Sequence, residues 1–282
     1  MNNNLRWRKI KKREYAGAEA LLRENEQLYV GACSRYIKHD KSKDAVWILC
    51  AKDWDISGLI LHSGRTLMPV FCGGKEIPEP GFLCGFFSSI NIHSVQGPRD
   101  EAMLLEKTLE KTGRITTDSI DYDLMVIDKM PGADNYSTGP SNLVLRVPGF
   151  TDLDSLAVLQ ADYEREEVLP KGAQFNPAVS RNNLAWIIGN SGILAAELDG
   201  RLVGKINVNA HSFTRFQVGG VYVHPDFRKL GIARRMAAEF IGSLIAQGRG
   251  VTLFVKKSNH AARRLYDRLG FTVIGNYRIS YY

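Results

Sequence analysis

The chain has few cysteines and no long apolar run. No two of its cysteines form a C-x-x-C pair, so the closely spaced thiolates typical of a structural zinc site are missing and no metal is expected. We interpret all four as free thiols of a reducing compartment; they are Cys33, Cys50, Cys72 and Cys84. No apolar segment approaches the roughly 20 residues of a membrane helix, which excludes a spanning helix.

The beginning of the sequence also lacks the pattern of a secretory signal. Its first twelve residues are polar and basic, and no apolar core follows them. We therefore expect a cytoplasmic protein. With 44% hydrophobic and 24% charged residues the composition is that of a globular protein, and 282 residues suit one large or two modest domains.

Positive charge is concentrated in the last quarter of the sequence. Residues 1–140 contain 19 basic and 19 acidic residues, whereas residues 141–282 contain 18 basic and 11 acidic ones, which accounts for the net charge of +7. Within residues 215–282 the numbers are 12 and 3. This imbalance indicates an anionic ligand there, and a phosphorylated cofactor, a nucleic acid and a membrane surface all qualify.

A segment rich in Gly, Pro and Ser at 130–141 predicts a linker, with a boundary near residue 136. Residues 1–136 are expected to form an α+β domain, with a helix over Glu14–Ile37, a strand over Phe82–Phe87 and a helix starting at Pro98. Residues 137–282 predict an α/β domain of order β-α-β-β-β-α-β-α-β. Its Asp199-Gly200 pair is typical of a two-residue hairpin.

The most informative segment joins a strand at Arg215–Val223 to a helix through a short loop. The loop and helix start contain the pattern Arg228-x-x-Gly231-x-Ala233. Small residues allow close backbone approach, and the free N–H groups and dipole of a helix start bind anions such as a diphosphate. The sequence contains neither G-x-x-x-x-G-K-[ST] nor G-x-G-x-x-G, so the usual mononucleotide and dinucleotide loops are excluded.

A second motif lies one strand and one helix further on. It reads Asn259-x-x-Ala262-x-x-Leu265-Tyr266 and is followed by Gly270-Phe271. Together the two motifs resemble those of the GNAT superfamily of N-acetyltransferases over residues 142–282. The resemblance implies a mixed central sheet flanked by helices. It also implies acetyl-CoA as cosubstrate and transfer of its acetyl group to a primary amine of a small molecule or peptide.

The resemblance also implies roles for individual residues. The thioester would lie between two splayed parallel strands, and a bulge at Gly219-Gly220 would free N–H groups for the developing oxyanion. Tyr266 would protonate the departing thiolate and Asn259 would bind the pantetheine or phosphate arm. The expected cofactor-binding residues are Val221, Tyr222, Val223, Arg228, Lys229, Leu230, Gly231, Ile232, Ala233, Arg234, Asn259 and Ala262.

Structural roles remain open for several of these residues. Tyr266 would also suit a core, Asn259 a helix N-cap, and Arg234 a solvated face. The general base is the least defined residue. We choose Glu167, although an ordinary acidic helix end explains it equally; the other candidates are Glu164, Glu166, Glu197 and His211.

The first domain shows neither motif. It is interpreted either as a degenerate GNAT-like domain or as an unrelated lid or partner-binding domain. For the whole chain, a non-catalytic acyl-CoA sensor is the alternative to an enzyme. A nucleic-acid binder is disfavoured because the basic residues cluster on the two motifs. No membrane partner is expected, and an oligomer remains possible.

Overall fold

The computed structural model describes residues 5–40, 44–51, 55–72, 80–131 and 139–282. The chain divides into two compact units that are not contiguous halves of the sequence. Unit 1 comprises Met1–Leu124, Phe254–Ser258 and Val273–Tyr282, and unit 2 comprises Met125–Leu253 and Asn259–Thr272. The boundary predicted near residue 136 lies outside the described residues. No helix in the described ranges has the length and apolar character needed to cross a bilayer.

Unit 1 is a mixed sheet with helices packed on it. Each strand is described with the unit that contains most of its residues. The strands of unit 1 are β1 (Arg6–Lys9), β2 (Ala45–Cys50), β3 (Ile56–Ser63), β4 (Thr66–Val70), β5 (Ser94–Pro98), β6 (Asp118–Ile127) and the final strand β12 (Thr272–Tyr281). Its helices are α1 (Tyr15–Glu24), α2 (Val30–Ile37), α3 (Pro80–Ser88) and α4 (Arg99–Glu110). The strand order is β1-β2-β3-β4-β5-β12-β6, in which β4 and β5 are parallel.

Two predictions for this region differ from the structure. The helix expected over Glu14–Ile37 is divided into α1 and α2 by a short 3-10 turn at Glu26–Leu28. The strand expected over Phe82–Phe87 is wrong, because these residues lie in α3. Leu83 and Phe87, four residues apart, are both fully buried, which is the spacing of a helix face. An unbroken apolar run does not distinguish that face from a buried strand.

Unit 2 has the same kind of architecture. Its strands are β7 (Leu143–Arg146), β8 (Ile193–Leu198), β9 (Arg201–His211), β10 (Arg215–Val223) and β11 (Gly250–Lys256). Its helices are α5 (Leu153–Tyr163), α6 (Pro177–Asn190), α7 (Ile232–Ile245) and α8 (His260–Arg268). The strand order is β11-β10-β9-β8-β7, with β10 and β11 parallel and the remaining pairs antiparallel.

Most elements of unit 2 follow the predicted order. The hairpin between β8 and β9 is confirmed, since Asp199 and Gly200 have φ values of 51° and 75°, as a two-residue turn requires. Helix α6 was not predicted. Only Ser180 and Leu184 of that helix are buried, so its sequence carries almost no amphipathic signal.

Helices cover both faces of the unit 2 sheet. Helices α5 and α6 share one apolar cluster with the strands, formed by Leu156, Leu159, Leu184, Ile193, Ala195, Leu202 and Tyr222. On β9, Lys205 lies under the ring of Tyr163 at the end of α5, while Val208 and Phe240 of α7 meet at Gly192. Because positions 205 and 208 point to opposite faces of the strand, α5 and α7 lie on opposite faces of the sheet.

The two units repeat one order of elements. Unit 1 runs β1-α1-α2-β2-β3-β4-α3-β5-α4, and unit 2 runs β7-α5-α6-β8-β9-β10-α7-β11-α8. In each, the fourth and fifth strands of the series form the parallel pair, and each pair has a short ladder. Unit 1 therefore has the topology of unit 2, as the interpretation of a GNAT-like first domain anticipates.

The end of β4 in unit 1 is held by a buried network of side chains. Glu101, at the start of α4, accepts hydrogen bonds from the Tyr29 hydroxyl (2.6 Å) and from the backbone N–H of Phe71 (2.8 Å). The Tyr29 oxygen in turn accepts from the backbone N–H of Cys72 (3.2 Å). Burial and the nearby Glu101 carboxylate raise the pKa of Tyr29, so its hydroxyl keeps its proton. The network thus occupies the two amides that follow β4.

Tyr29→Phe is expected to destabilise unit 1 by about 1–3 kcal/mol, because it leaves a buried carboxylate without one donor. Urea unfolding with hydrogen exchange resolved over α4 and β4 measures this change. Tyr282→Phe is the matched control, since that hydroxyl is buried but makes no hydrogen bond among the described residues. Equal effects of the two changes would contradict the importance of the network.

Candidate functional site

Strand β10 of unit 2 contains an irregularity at its two adjacent glycines. Its antiparallel register with β9 pairs Gly219 with Asn207 and then Tyr222 with Lys205, so that two residues of β10 lie opposite one of β9. Gly220 has a φ of 63°. The bulge predicted at Gly219-Gly220 is therefore present.

Side chains of β9 leave no room for a side chain at either glycine. A Cβ at Gly219 would overlap the Asn209 amide, and a Cβ at Gly220 would overlap the Asn207 amide. The same Gly220 Cβ would lie 2.8 Å from Lys205 Nζ. Glycine is required here because of both the backbone angle and this close approach.

The parallel ladder between β10 and β11 is short. Its three pairs run from Arg215 opposite Gly250 to Gln217 opposite Thr252. Beyond this point, β10 continues through the bulge to Val223 while pairing only with β9 among the described residues. The peptide groups of Gly220 and Val221 consequently have no pairing residue in either ladder.

The loop after β10 leads into helix α7 through a tight turn. His224 accepts from the backbone N–H of Asp226 and caps a short 3-10 turn at Pro225–Phe227. Lys229 and Gly231 then have left-handed φ values of 65° and 82°. Alternation of this kind orients successive N–H groups into a concave surface suited to an anion.

The start of α7 has free backbone donors. Gly231 is its N-cap and has no side chain to accept a hydrogen bond, and the first intrahelical bond runs from Arg235 N to Gly231 O. The N–H groups of Ile232 and Ala233 therefore have no partner within the helix. With the helix dipole, they form a site that favours a phosphate or other anion.

The predicted loop residues differ in their surroundings. Arg228 is fixed, because its guanidinium donates to Val223 O (3.0 Å) and to both carboxylate oxygens of Glu166 (2.9 and 3.1 Å). Leu230 is exposed, Ile232 is buried and Ala233 is partly exposed. The charge of Arg228 is thus already balanced by Glu166.

The acidic cluster at the end of α5 lies on a single π-helical turn at Glu164–Val168. Such turns are rare and occur often at functional sites. Glu166 accepts from Tyr222 Oη (2.9 Å) as well as from Arg228, while Glu164 accepts from Gln160 (2.7 Å). Burial, together with the Glu166 contact, raises the pKa of Tyr222 to about 12.

Glu167 contacts Asn259, the first residue of the second motif. Its carboxylate accepts from Asn259 Nδ2 (3.0 Å), and Asn259 Oδ1 caps α8 by accepting from Ala262 N (3.0 Å). The cap predicted for Asn259 is therefore present. Its contact with Glu167 was not predicted.

Tyr266 is buried and packs edge-to-face on Phe271, with ring centroids 5.7 Å apart. Its hydroxyl makes no hydrogen bond with another described residue. Burial raises the pKa of Tyr266, and the nearby Tyr163 and Glu167 add to the shift. The side chain therefore keeps its proton at neutral pH and lies within electrostatic range of Glu167.

The other two candidate bases have different surroundings. Glu197 forms an ion pair with Arg146 (2.7 Å), which also holds Asp152. His211 lies at the end of β9 opposite Phe216, at the beginning of β10 rather than at the bulge. Because of these contacts, Glu167 remains our candidate for the general base rather than Glu197 or His211.

Sequence reasoning missed Lys205. The side chains of Lys205, Asn207 and Asn209 alternate with apolar residues along β9, which resembles an ordinary solvated face. In the structure Lys205 is completely buried and Asn207 is 2% exposed. Burial lowers the pKa of Lys205 to about 7, although the nearby Glu164 opposes the shift. The paired glycines in the next strand were the available signal.

Comparison with known proteins agrees with this geometry. Residues 156–271 match the model of the Acetyltransferase (GNAT) family. An acetyltransferase of Pectobacterium atrosepticum is 32% identical over 84 residues, which are 29% of this chain and 57% of that protein. A mycothiol acetyltransferase of Thermomonospora curvata is 39% identical over 85 residues, which are 29% of this chain and 28% of that protein.

The likeness in fold extends further than the likeness in sequence. A solved GCN5-related N-acetyltransferase from Sphaerobacter thermophilus matches with a TM-score of 0.56 at 17% identity, over 99% of this chain and 96% of that one. The chain spans little more than half, or less, of the two sequence relatives. Both motifs and the bulged strand lie within the matched segment or at its edge, and residues 156–271 belong to the GNAT family of acetyltransferases.

Proposed function

We propose that the protein is an acetyl-CoA-dependent N-acetyltransferase that acts on a primary amine of a small molecule or peptide. Unit 2 would carry the reaction. The observation that supports this most directly is the combination of a bulged strand with a helix that begins with free N–H groups nine residues after the strand ends. The first feature suits a thioester carbonyl and the second suits a diphosphate.

The diphosphate of acetyl-CoA would bind at the start of α7. The amides of Ile232 and Ala233 are available as donors, and the left-handed residues Lys229 and Gly231 shape the loop around them. Leu230 and Ala233 present small or exposed surfaces there. Arg228 would act mainly by holding the loop through Glu166.

The acetyl group would be activated by backbone rather than by a side chain. The N–H groups of Val221, Tyr222 and Val223 follow the bulge, and Val221 lacks a pairing residue in β9. A fixed N–H donor aimed at the thioester oxygen stabilises the negative charge that develops there as the amine attacks. Val221 is the residue best placed for this role.

The transfer step would be a direct attack. The neutral amine nitrogen forms a bond to the thioester carbonyl carbon, the carbon–sulfur bond breaks, and the sulfur leaves with the bonding electron pair. Glu167 would accept the proton released from the amine nitrogen, and Tyr266 would donate its hydroxyl proton to the thiolate. The products are the acetylated amine and CoA, and the tyrosinate regains its proton from solvent.

The arrangement around Asn259 supports these two roles. Asn259 fixes Glu167 with its amide N–H while capping α8, the helix that carries Tyr266. The proposed acid and base are therefore positioned by one residue. The Asn259 side chain already uses both of its polar ends, so we propose that it acts on acetyl-CoA only through this positioning.

Gly231→Glu is expected to weaken acetyl-CoA binding by about 100-fold or more, because it places a carboxylate beside the diphosphate. Calorimetric titration of the intact chain measures this. Gly200→Glu is the matched control, since Gly200 also has a positive φ (75°) but lies in the β8–β9 turn with open space around it. It carries the same charge and a comparable backbone cost, and binding should be retained.

A folded wild-type protein that binds neither acetyl-CoA nor longer acyl-CoAs would contradict the proposal. Equal loss of binding in the two glycine variants would show that the helix start is not the diphosphate site. Binding without release of CoA in the presence of a broad panel of amines would instead favour an acyl-CoA sensor.

Tyr266→Phe and Glu167→Gln are each expected to lower kcat by about 100-fold or more while leaving acetyl-CoA affinity within about twofold. The first removes a proton donor without removing a hydrogen bond, so stability should not fall. Release of CoA with the best amine of the panel gives kcat, and calorimetry gives affinity. Glu197→Gln is the control for the carboxylate. Full activity of Tyr266→Phe would remove Tyr266 from the mechanism.

A further inference from the structure

Lys205 is the most unusual polar residue of unit 2. It lies on β9 with no solvent exposure, although a buried ammonium group is costly unless it is paired. Its hydrogen bonds go to the backbone oxygen of Gly220 (3.0 Å) and to Asn207 Oδ1 (3.3 Å). Its Nζ lies 4.7 Å from the ring centre of Tyr163. No carboxylate accepts a hydrogen bond from it among the described residues.

The contact with Gly220 fixes the bulge. Asn207 Nδ2 donates to Asn209 Oδ1 (2.8 Å), so Lys205 and the two asparagines form one hydrogen-bonded row along β9. This row lies against Gly219 and Gly220. The bulged segment has no ladder partners of its own, and the bond from Lys205 replaces one of those that the bulge removes.

The same contact sets the direction of the next N–H group. No described peptide bond is cis, and in a trans peptide the carbonyl and the N–H point in opposite directions. The Gly220 carbonyl points to Lys205 Nζ, so the Val221 N–H points away from Lys205 and from the row on β9. Rotation of this peptide would move both groups together.

We propose that Lys205 is a positioning residue for acyl transfer, which holds the Gly220 carbonyl so that the Val221 N–H is aimed at the thioester oxygen. The proposal rests on the acetyl-CoA site proposed above for unit 2. Lys205 is not a catalytic residue, since it is fully buried and its amine is occupied by protein acceptors. A neutral amine also has two N–H donors, so the contact with Gly220 persists when Lys205 loses its proton.

Lys205→Met tests this assignment. Methionine fills a similar volume; it removes the buried amine but leaves the Gly220 carbonyl without its donor. These two effects oppose each other, so the thermal midpoint should change by only a few degrees. The expected kinetic result is a fall in kcat of about 10- to 100-fold, with KM for acetyl-CoA and affinity for CoA within about twofold of wild type. Lys107→Met, on an exposed position of α4, is the control and should match wild type. An unchanged kcat in Lys205→Met would overturn the proposal.

A second measurement does not depend on turnover. In protein labelled with ¹⁵N-valine, the Val221 amide is assigned from the signal that disappears in Val221→Ile. Acetyl-CoA should move this signal downfield relative to CoA, because CoA lacks the thioester carbonyl that would accept from the Val221 N–H, and Lys205→Met should abolish the difference. Lys205→Gln, which keeps an N–H donor, should restore part of it and serves if the methionine variant does not fold.

The possible outcomes distinguish failure of the proposed function from failure of the proposed role of Lys205. If the wild type binds neither CoA nor acetyl-CoA, the proposed function fails and the role of Lys205 fails with it. If both ligands bind but the Val221 signal is the same with each, the acyl-CoA site stands and the proposed role of Lys205 is overturned. A difference that survives in Lys205→Met also overturns it.

Discussion

The close contact between β9 and the two glycines of β10 is the constraint on which the proposed site depends. Lys205, Asn207 and Asn209 fill the space that side chains at Gly219 and Gly220 would need. The bulge that results interrupts the ladder between β9 and β10 and leaves Val221 without a pairing residue. Two strands that remained regularly paired would have all of these groups hydrogen-bonded to each other.

A second constraint follows from the first. Because β10 continues to Val223 beyond the last parallel pair, the loop that follows it enters α7 at Gly231, beside the end of the strand. The helix amides of Ile232 and Ala233 and the strand amide of Val221 therefore lie in one continuous segment of the chain. Glu166 holds that stretch through Arg228 and Tyr222, which connects the π-helical turn after α5 to the loop. The proposed diphosphate site and the proposed thioester site would thus both be held in place by Glu166.

Unit 1 has the same topology as unit 2, but side chains of unit 1 accept hydrogen bonds from the backbone N–H groups that follow β4. The N–H groups of Phe71 and Cys72, immediately after β4, are taken by Glu101 and Tyr29. In unit 2 the N–H groups of Ile232 and Ala233 have no partner within their helix. A repeated order of elements does not by itself imply a repeated function, because function depends on the groups present at each site.

The sequence was sufficient for the topology of unit 2 and for its two motifs, because glycines, a hairpin turn and helix caps leave local signals. It was insufficient for α3 and α6, whose apolar residues do not show a clear helical period. Lys205 was missed because burial of a polar residue in an alternating strand depends on the neighbouring strand, where the paired glycines were the available signal. The contact of Glu167 with Asn259 joins residues 92 positions apart and has no local pattern. The sequence identified the loop that contains the first motif, and the structure identified the side chains that hold the site in place.

Hydrogen exchange of the intact chain, with and without acetyl-CoA, tests the central claim most directly. Amides without intrahelical partners exchange fast in the free protein and slow when a ligand accepts their hydrogen bonds. We predict new protection at Ile232, Ala233 and Val221, with no change at Phe71 and Cys72. Protection confined to unit 1, or none in either unit at saturating acetyl-CoA, would contradict it.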